Sequence, residues 1–89
     1  MADMEKIKEL KRQLEEAKQT ALIVKDLKSK YELSLLVLVL RDLGELNEAE
    51  VMQIRTQYGL TSMAWMVAES ALLITDAVLK QEAKNNEND

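Results

Sequence analysis

Hydrophobic positions in the first half of the chain fall into two regimes. Ile7, Leu10, Leu14, Ala17, Ala21 and Val24 recur at alternating spacings of three and four, the pattern of a coiled-coil seam along one side of a helix. Between them, Glu5 and Lys8, Glu9 and Arg12, and Glu15 and Lys18 stand one turn apart and support the helix from its polar side. Leu22, Ile23 and Leu27 then widen the stripe, and the run LSLLVLVL (Leu33 to Leu40) is apolar on every side. That run has the length of a buried strand, but helix formers flank it, no turn residue bounds it and no second strand is available for pairing. The pattern predicts one helix over 4–43.

Turn chemistry divides the rest. Gly44 is placed to end the first helix as a left-handed residue, with Arg41 in the last turn where the helix dipole favours a cation. Asn47-Glu48-Ala49-Glu50 reads as a capping box and opens a short helix over 48–58, with Val51, Ile54 and Tyr58 on one side and Ala49 and Met52 beside them. Gly59 closes it, and Thr61 or Ser62 caps a third helix over 62–84. Within that helix, Thr61 to Lys80 is apolar nearly all round, interrupted by Glu69, Ser70, Thr75 and Asp76. Such a helix must be enclosed on all sides, whereas a single stripe needs one neighbour. Residues 85–89 are polar and acidic and predict a disordered tail.

Lengths constrain how these pieces pack. The first helix would span roughly 60 Å and the third roughly 35 Å, so an antiparallel pair leaves roughly 25 Å of the first uncovered. The uncovered part carries the narrow seam. Either another chain covers it, or the helix breaks near Lys28-Ser29 and folds back. Leaving five large side chains of the third helix wet would forgo ~10 kcal/mol, as much as a whole domain's stability. The expected architecture is therefore all-α, a single domain over 1–84 completed as an intermolecular helical bundle. Leu33, Leu35, Leu36, Leu38, Leu40, Trp65, Met66, Leu72, Leu73 and Val78 are its expected oligomer contacts. With Ile7 at heptad position a, the e positions are Lys11, Lys18 and Lys25 and the g positions Lys6, Gln13, Thr20 and Leu27. No attractive charge ladder follows from these, so the oligomer number and helix orientation stay open.

Composition agrees with long helices and few turns. Of 89 residues 47% are hydrophobic, with no Pro and only two Gly. A chain of this size buries only about 60–65% of its unfolded surface and usually needs reinforcement. Cys and His are absent, which removes disulfides, the common zinc sites and thiol chemistry and leaves association as the remaining device. A net charge of −4 argues against general nucleic-acid affinity. The start has no apolar core for a signal peptide, and no apolar run has the length of a membrane span. A cytoplasmic protein is expected, in the host cytoplasm if the source is viral, with no membrane partner.

Four patterns carry candidate chemistry. Glu69 and Asp76, seven apart, share one helix face as paired carboxylates do, yet di-iron bundles also draw on Glu-x-x-His, and histidine is absent. Lys11, Lys18 and Lys25 form a row continued by Lys28, Lys30 and Tyr31. A small anion such as a nucleotide would find Lys25, Lys28, Tyr31 and Arg55 as candidate contacts, although no glycine-rich phosphate loop accompanies them. The segment 46–70 resembles a helix-turn-helix in outline, but the exposed start of its second helix offers Thr61, Ser62, Met63, Ala64 and Trp65 rather than base-reading side chains. Trp65, Met52, Met63 and Met66 are either core or a soft surface for a partner helix.

Most hydrolytic, redox and metal mechanisms lack their residues here, so no enzyme and no cofactor are expected. The leading expectation is a homo-oligomeric protein-interaction module acting as a small chaperone, adaptor or inhibitor. Ile7, Leu10, Leu14, Ala17 and Ala21 are its expected partner-facing residues. In size and layout, though in no motif, the chain is similar to small phage or bacterial accessory proteins such as assembly chaperones, inhibitors of host machinery and secretion co-chaperones. An oligomeric binder of a small anion ranks second, and a DNA-binding regulator ranks last.

Overall fold

The computed structural model of the chain describes the backbone of residues 4–87 and the side chains of residues 4–75. It is all-helical, with α1 at Met4–Val24, α2 at Leu27–Asp42, α3 at Glu48–Gln57 and α4 at Ser62–Glu87. The apolar run from Leu33 to Leu40 is helical, as its flanks imply.

The continuous helix expected over 4–43 is in fact two. The chain turns at Lys25 and Asp26, three residues before the Lys28-Ser29 point where a break was an alternative. Lys25 takes the left-handed conformation (φ 57°), and Asp26 is extended (φ −93°, ψ 170°). Asp26 then caps α2, its carboxylate accepting a hydrogen bond from the Ser29 amide at 2.8 Å. The physical reason lies in the phase of the apolar pattern. Continuing the α1 seam by sevens from Ala21 would bury Lys28, whereas the next buried position is Ser29, followed by Leu33, Val37 and Leu40. A straight helix would place these two stripes on different sides, and a capped corner lets each face the core.

The remaining boundaries follow the turn chemistry. Gly44 (φ 79°) ends α2, its amide donating to the Arg41 carbonyl at 3.0 Å while the Glu45 amide reaches the Leu40 carbonyl at 2.8 Å. At α3 the capping box is complete, with Glu50 N–H donating to Asn47 Oδ1 at 2.8 Å and Asn47 N–H to Glu50 Oε1 at 3.1 Å. Gly59 (φ 63°) follows α3, and of the two candidate caps Thr61 serves α4, its hydroxyl accepting from the Ala64 amide at 3.3 Å. The helix expected over 62–84 continues to Glu87, so residues 85–87 of the expected tail are helical, and residues 88–89 lie outside the described part.

Every other helix packs on α2. Its Leu33, Ser34, Val37, Leu38 and Leu40 are the largest fully buried side chains described, and the Ser34 hydroxyl is satisfied by the Lys30 carbonyl at 2.8 Å. α1 folds back antiparallel along α2, bringing Lys11 within 2.8 Å of Glu45 just past the end of α2. α4 instead runs parallel to α2: Leu27, Lys28 and Tyr31 line one cleft with Met63, Ala64 and Val67, and Leu38, Arg41 and Asp42 line another with Glu69, Leu72 and Thr75. α3 makes this possible by carrying the chain back across the bundle, with Val51 and Ile54 turned inward. The antiparallel pairing of the first and last helices gives way to this order. The most enclosed helix is α2, whose Leu33 to Leu40 run is buried or half-buried at every position; α4, expected to be surrounded, is covered by α2 on one face.

Candidate functional site

The side chains of α4 divide by direction. Ala64, Trp65 and Ala68 are buried against α2, with Leu72 packed beside them. Met63, Met66, Val67, Leu73 and Ile74 are 67%, 66%, 51%, 71% and 66% exposed. On a 3.6-residue turn these five, with Ser70 among them, fall within an arc of about 120° opposite the buried set. Met63, Met66, Ser70 and Leu73 keep the alternating three-four spacing of a helix-pairing seam. The outer face of α4 is thus a built apolar stripe. A second, smaller apolar surface lies at the α1–α2 corner, where Ile23, Val24 and Leu27 are exposed. Leu27 belongs to both, since it forms with Tyr31, Met63 and Val67 the walls of a groove of about 360 Å³.

The expected oligomer contacts separate along this division. Leu33, Leu38, Leu40 and Trp65 are buried within the chain, and Leu35, Leu36 and Leu72 pack against them. Only Met66 and Leu73 are available to another molecule, while Val78 lies outside the described side chains. The cause is the fold-back of α1, which provides α2 with cover from its own chain.

The same fold-back covers most of the residues expected to face a partner. Leu14 and Ala21 are each 5% exposed in the core, Leu10 and Ala17 pack against it, and Ile7 is half-buried. Their seam is consumed inside the molecule. Ahead of its last turn the outward face of α1 is polar, and there Arg12 bridges Glu9 and Glu16 and holds the Glu9 carboxyl down at about 2.

Of the expected anion contacts, Lys28 and Tyr31 line a common groove and Lys25 and Arg55 are not among its lining residues. Lys25 sits in the corner, and Lys28 and Tyr31 border the groove whose remaining walls are apolar. Arg55 does not line that groove; its guanidinium lies over the Trp65 ring at 4.5 Å from the centroid. Glu69 is exposed beside a cleft of about 460 Å³ shared with Arg41, whose own acidic neighbour is Asp42 at 3.7 Å. Asp76 lies outside the described side chains. Among the described residues no group of His, Cys, Asp or Glu is arranged to hold a metal ion, and no helix is long and apolar enough to cross a membrane. The helix-turn-helix outline exists as α3 and α4, but the exposed start of α4 presents Met63 and Met66.

Val67 and Ile74 complete the exposed stripe and were not among the expected contacts, and Met63 was expected as either core or a soft surface for a partner helix. The signal that marks the stripe is the spacing Met63, Met66, Ser70, Leu73, a second seam flanked by Val67 and Ile74 in a helix whose other sides are also apolar. Comparison with protein-family models, with curated proteins and with solved structures finds no match.

Proposed function

We propose that this chain is a non-enzymatic protein-interaction module that binds through the outer face of α4, in the manner of a small chaperone, adaptor or inhibitor. The observation that carries the reading is the pairing of exposure with order on that face. Five large apolar side chains stand in water on one side of a helix whose opposite side is already buried. Apolar residues scattered over a surface need no explanation, but a contiguous stripe at helix-pairing spacing is a binding surface. Two methionines in it supply flexible, polarizable contacts that adapt to a partner's shape.

The test compares wild type with Met66→Glu/Leu73→Glu, both immobilised and exposed to native-host lysate, with retained species identified by mass. A specific protein held by wild type and lost from the variant, and then shown to bind purified wild type, supports the reading. Equal retention by both proteins would refute that face as a docking surface for another protein. The two substitutions lie on exposed positions and are expected to leave the helical circular dichroism of the chain unchanged.

A further inference from the structure

Among the candidate occupants of the α4 stripe, one is recognisable from the stripe itself. Its repeat is that of a helix made to lie along another helix carrying the same repeat: Met63, Met66, Ser70 and Leu73 in alternating steps, flanked by Val67 and Ile74. Ser70 is a small residue in the middle of the row, so two such helices approach closely at that point while the longer side chains interleave above and below. A surface that is its own complement closes into a two-fold pair and leaves no open end.

The size of the stripe agrees with this. Taking roughly 160–200 Å² for a fully exposed apolar residue, the five exposures on α4 amount to roughly 600 Å² per molecule, hence at most about 1,200 Å² in a pair, the size at which specific interfaces begin. A short peptide would cover only part of a row this long. A helix of matching length is available in α4 itself, which runs for 26 residues and is the longest element of the fold. The groove formed by Leu27, Tyr31, Met63 and Val67 continues the stripe toward the corner and enlarges the area that a second molecule can cover.

We infer that the occupant of the outer face of α4 is the α4 helix of a second copy of this chain, so that the protein works as a homodimer joined along Met63, Met66, Val67, Ser70, Leu73 and Ile74. This rests on the preceding assignment of the face as a binding surface and names its partner. The pairing encloses α4 on both sides, which its sequence requires and one chain does not supply.

Sedimentation velocity across about 1–100 µM, on wild type and on Met66→Glu/Leu73→Glu, provides the first reading. Wild type is expected to sediment as a dimer over the upper part of that range, and the variant as a monomer with unchanged helical content. Glu69→Cys carrying a nitroxide, at an exposed position beside the row rather than in it, gives an independent reading that does not depend on the double variant folding. Because the chain has no other cysteine, the label is unique, and the paired helices should place two labels within roughly 25 Å of each other. A wild type that remains monomeric at the highest concentration, or a labelled dimer without a short distance, overturns the inference. If wild type stays monomeric while the double variant still loses a purified partner protein, the surface assignment stands and self-pairing falls. If neither association nor partner binding responds, both fall.

Discussion

Truncating Leu14 to alanine tests the part of the fold that departs most from the linear pattern, the packing of α1 back onto its own chain. Leu14 is 5% exposed and lines, with Leu40 and Ile54, the crevice where α1, α2 and α3 meet. Leu→Ala in a core costs about 2–5 kcal/mol, the lower values where neighbours can relax into the space. The crevice beside Leu14 is open to such relaxation, so about 2–3 kcal/mol is expected. Typical domain stability scaled to this length is ~4–13 kcal/mol, so the loss is a large fraction of the whole. In urea, with a slope near 1 kcal/mol per molar for so small a chain, the midpoint should fall by roughly 2–3 M at fixed protein concentration. Gln19→Ala, at an exposed position of the same helix, should stay within about 0.5 kcal/mol of wild type. A Leu14→Ala midpoint indistinguishable from that control would show that α1 is not docked on α2 and would return its seam to the role of an external arm.

Lys25→Gly should stabilise the chain by about 0.5–1 kcal/mol in the same assay, because glycine enters the left-handed region without a Cβ clash, and a loss of stability would contradict the corner. The Asp26 carboxyl is held below its ordinary value of 3.8 by hydrogen bonds from the Ser29 side chain and backbone. Its contribution is therefore present above that value and lost as pH falls through the lower folded one. The urea-midpoint gap between wild type and Asp26→Ala should be wide near pH 6 and narrow near pH 2, and a gap that widens in acid would refute the cap. Arg55→Ala uncovers one face of Trp65, so its fluorescence should shift to the red and quench more readily with acrylamide, alongside a loss of about 0.5–1 kcal/mol. An unchanged emission spectrum would place the guanidinium elsewhere.

The parts of this fold that can be read from the chain are those written in local chemistry. Gly44, the Asn47–Glu50 box, Gly59 and Thr61 mark boundaries because each satisfies backbone groups within a few residues of itself. The corner at Lys25 escapes because lysine carries no preference for the left-handed region and the flanking residues all tolerate a helix. The readable trace was the one-residue slip between the Ala21 seam and Ser29, together with an aspartate three residues before that serine. The parallel course of α2 and α4 escapes for a different reason. It depends on α3 and its two turns returning the chain to the start of α2, a tertiary choice that no local pattern encodes.

The candidate site was half legible by the same logic. Met66 and Leu73 stood out as apolar residues in need of cover, but so did Leu33 and Leu38, and hydrophobicity alone does not separate a residue covered by its own chain from one covered by another. What separates them is the number of helices at hand. Two segments, Leu33 to Leu40 and the first half of α4, are apolar on too many sides for one neighbour. Folding back α1 and crossing α3 gives α2 its enclosure, and its central side chains reach zero or near-zero exposure. No helix then remains for the far side of α4. At about 2 kcal/mol per fully buried side chain, covering its five half-to-mostly exposed residues would contribute at most ~6.5 kcal/mol per molecule and ~13 kcal/mol per pair, against the ~4–15 kcal/mol that association costs. Dimerisation at tens of micromolar needs about 6–7 kcal/mol of net gain, so the margin is narrow and replacing two of the five by charged residues is enough to reverse it. This is why Met66 and Leu73, rather than the larger buried set, decide whether the surface works.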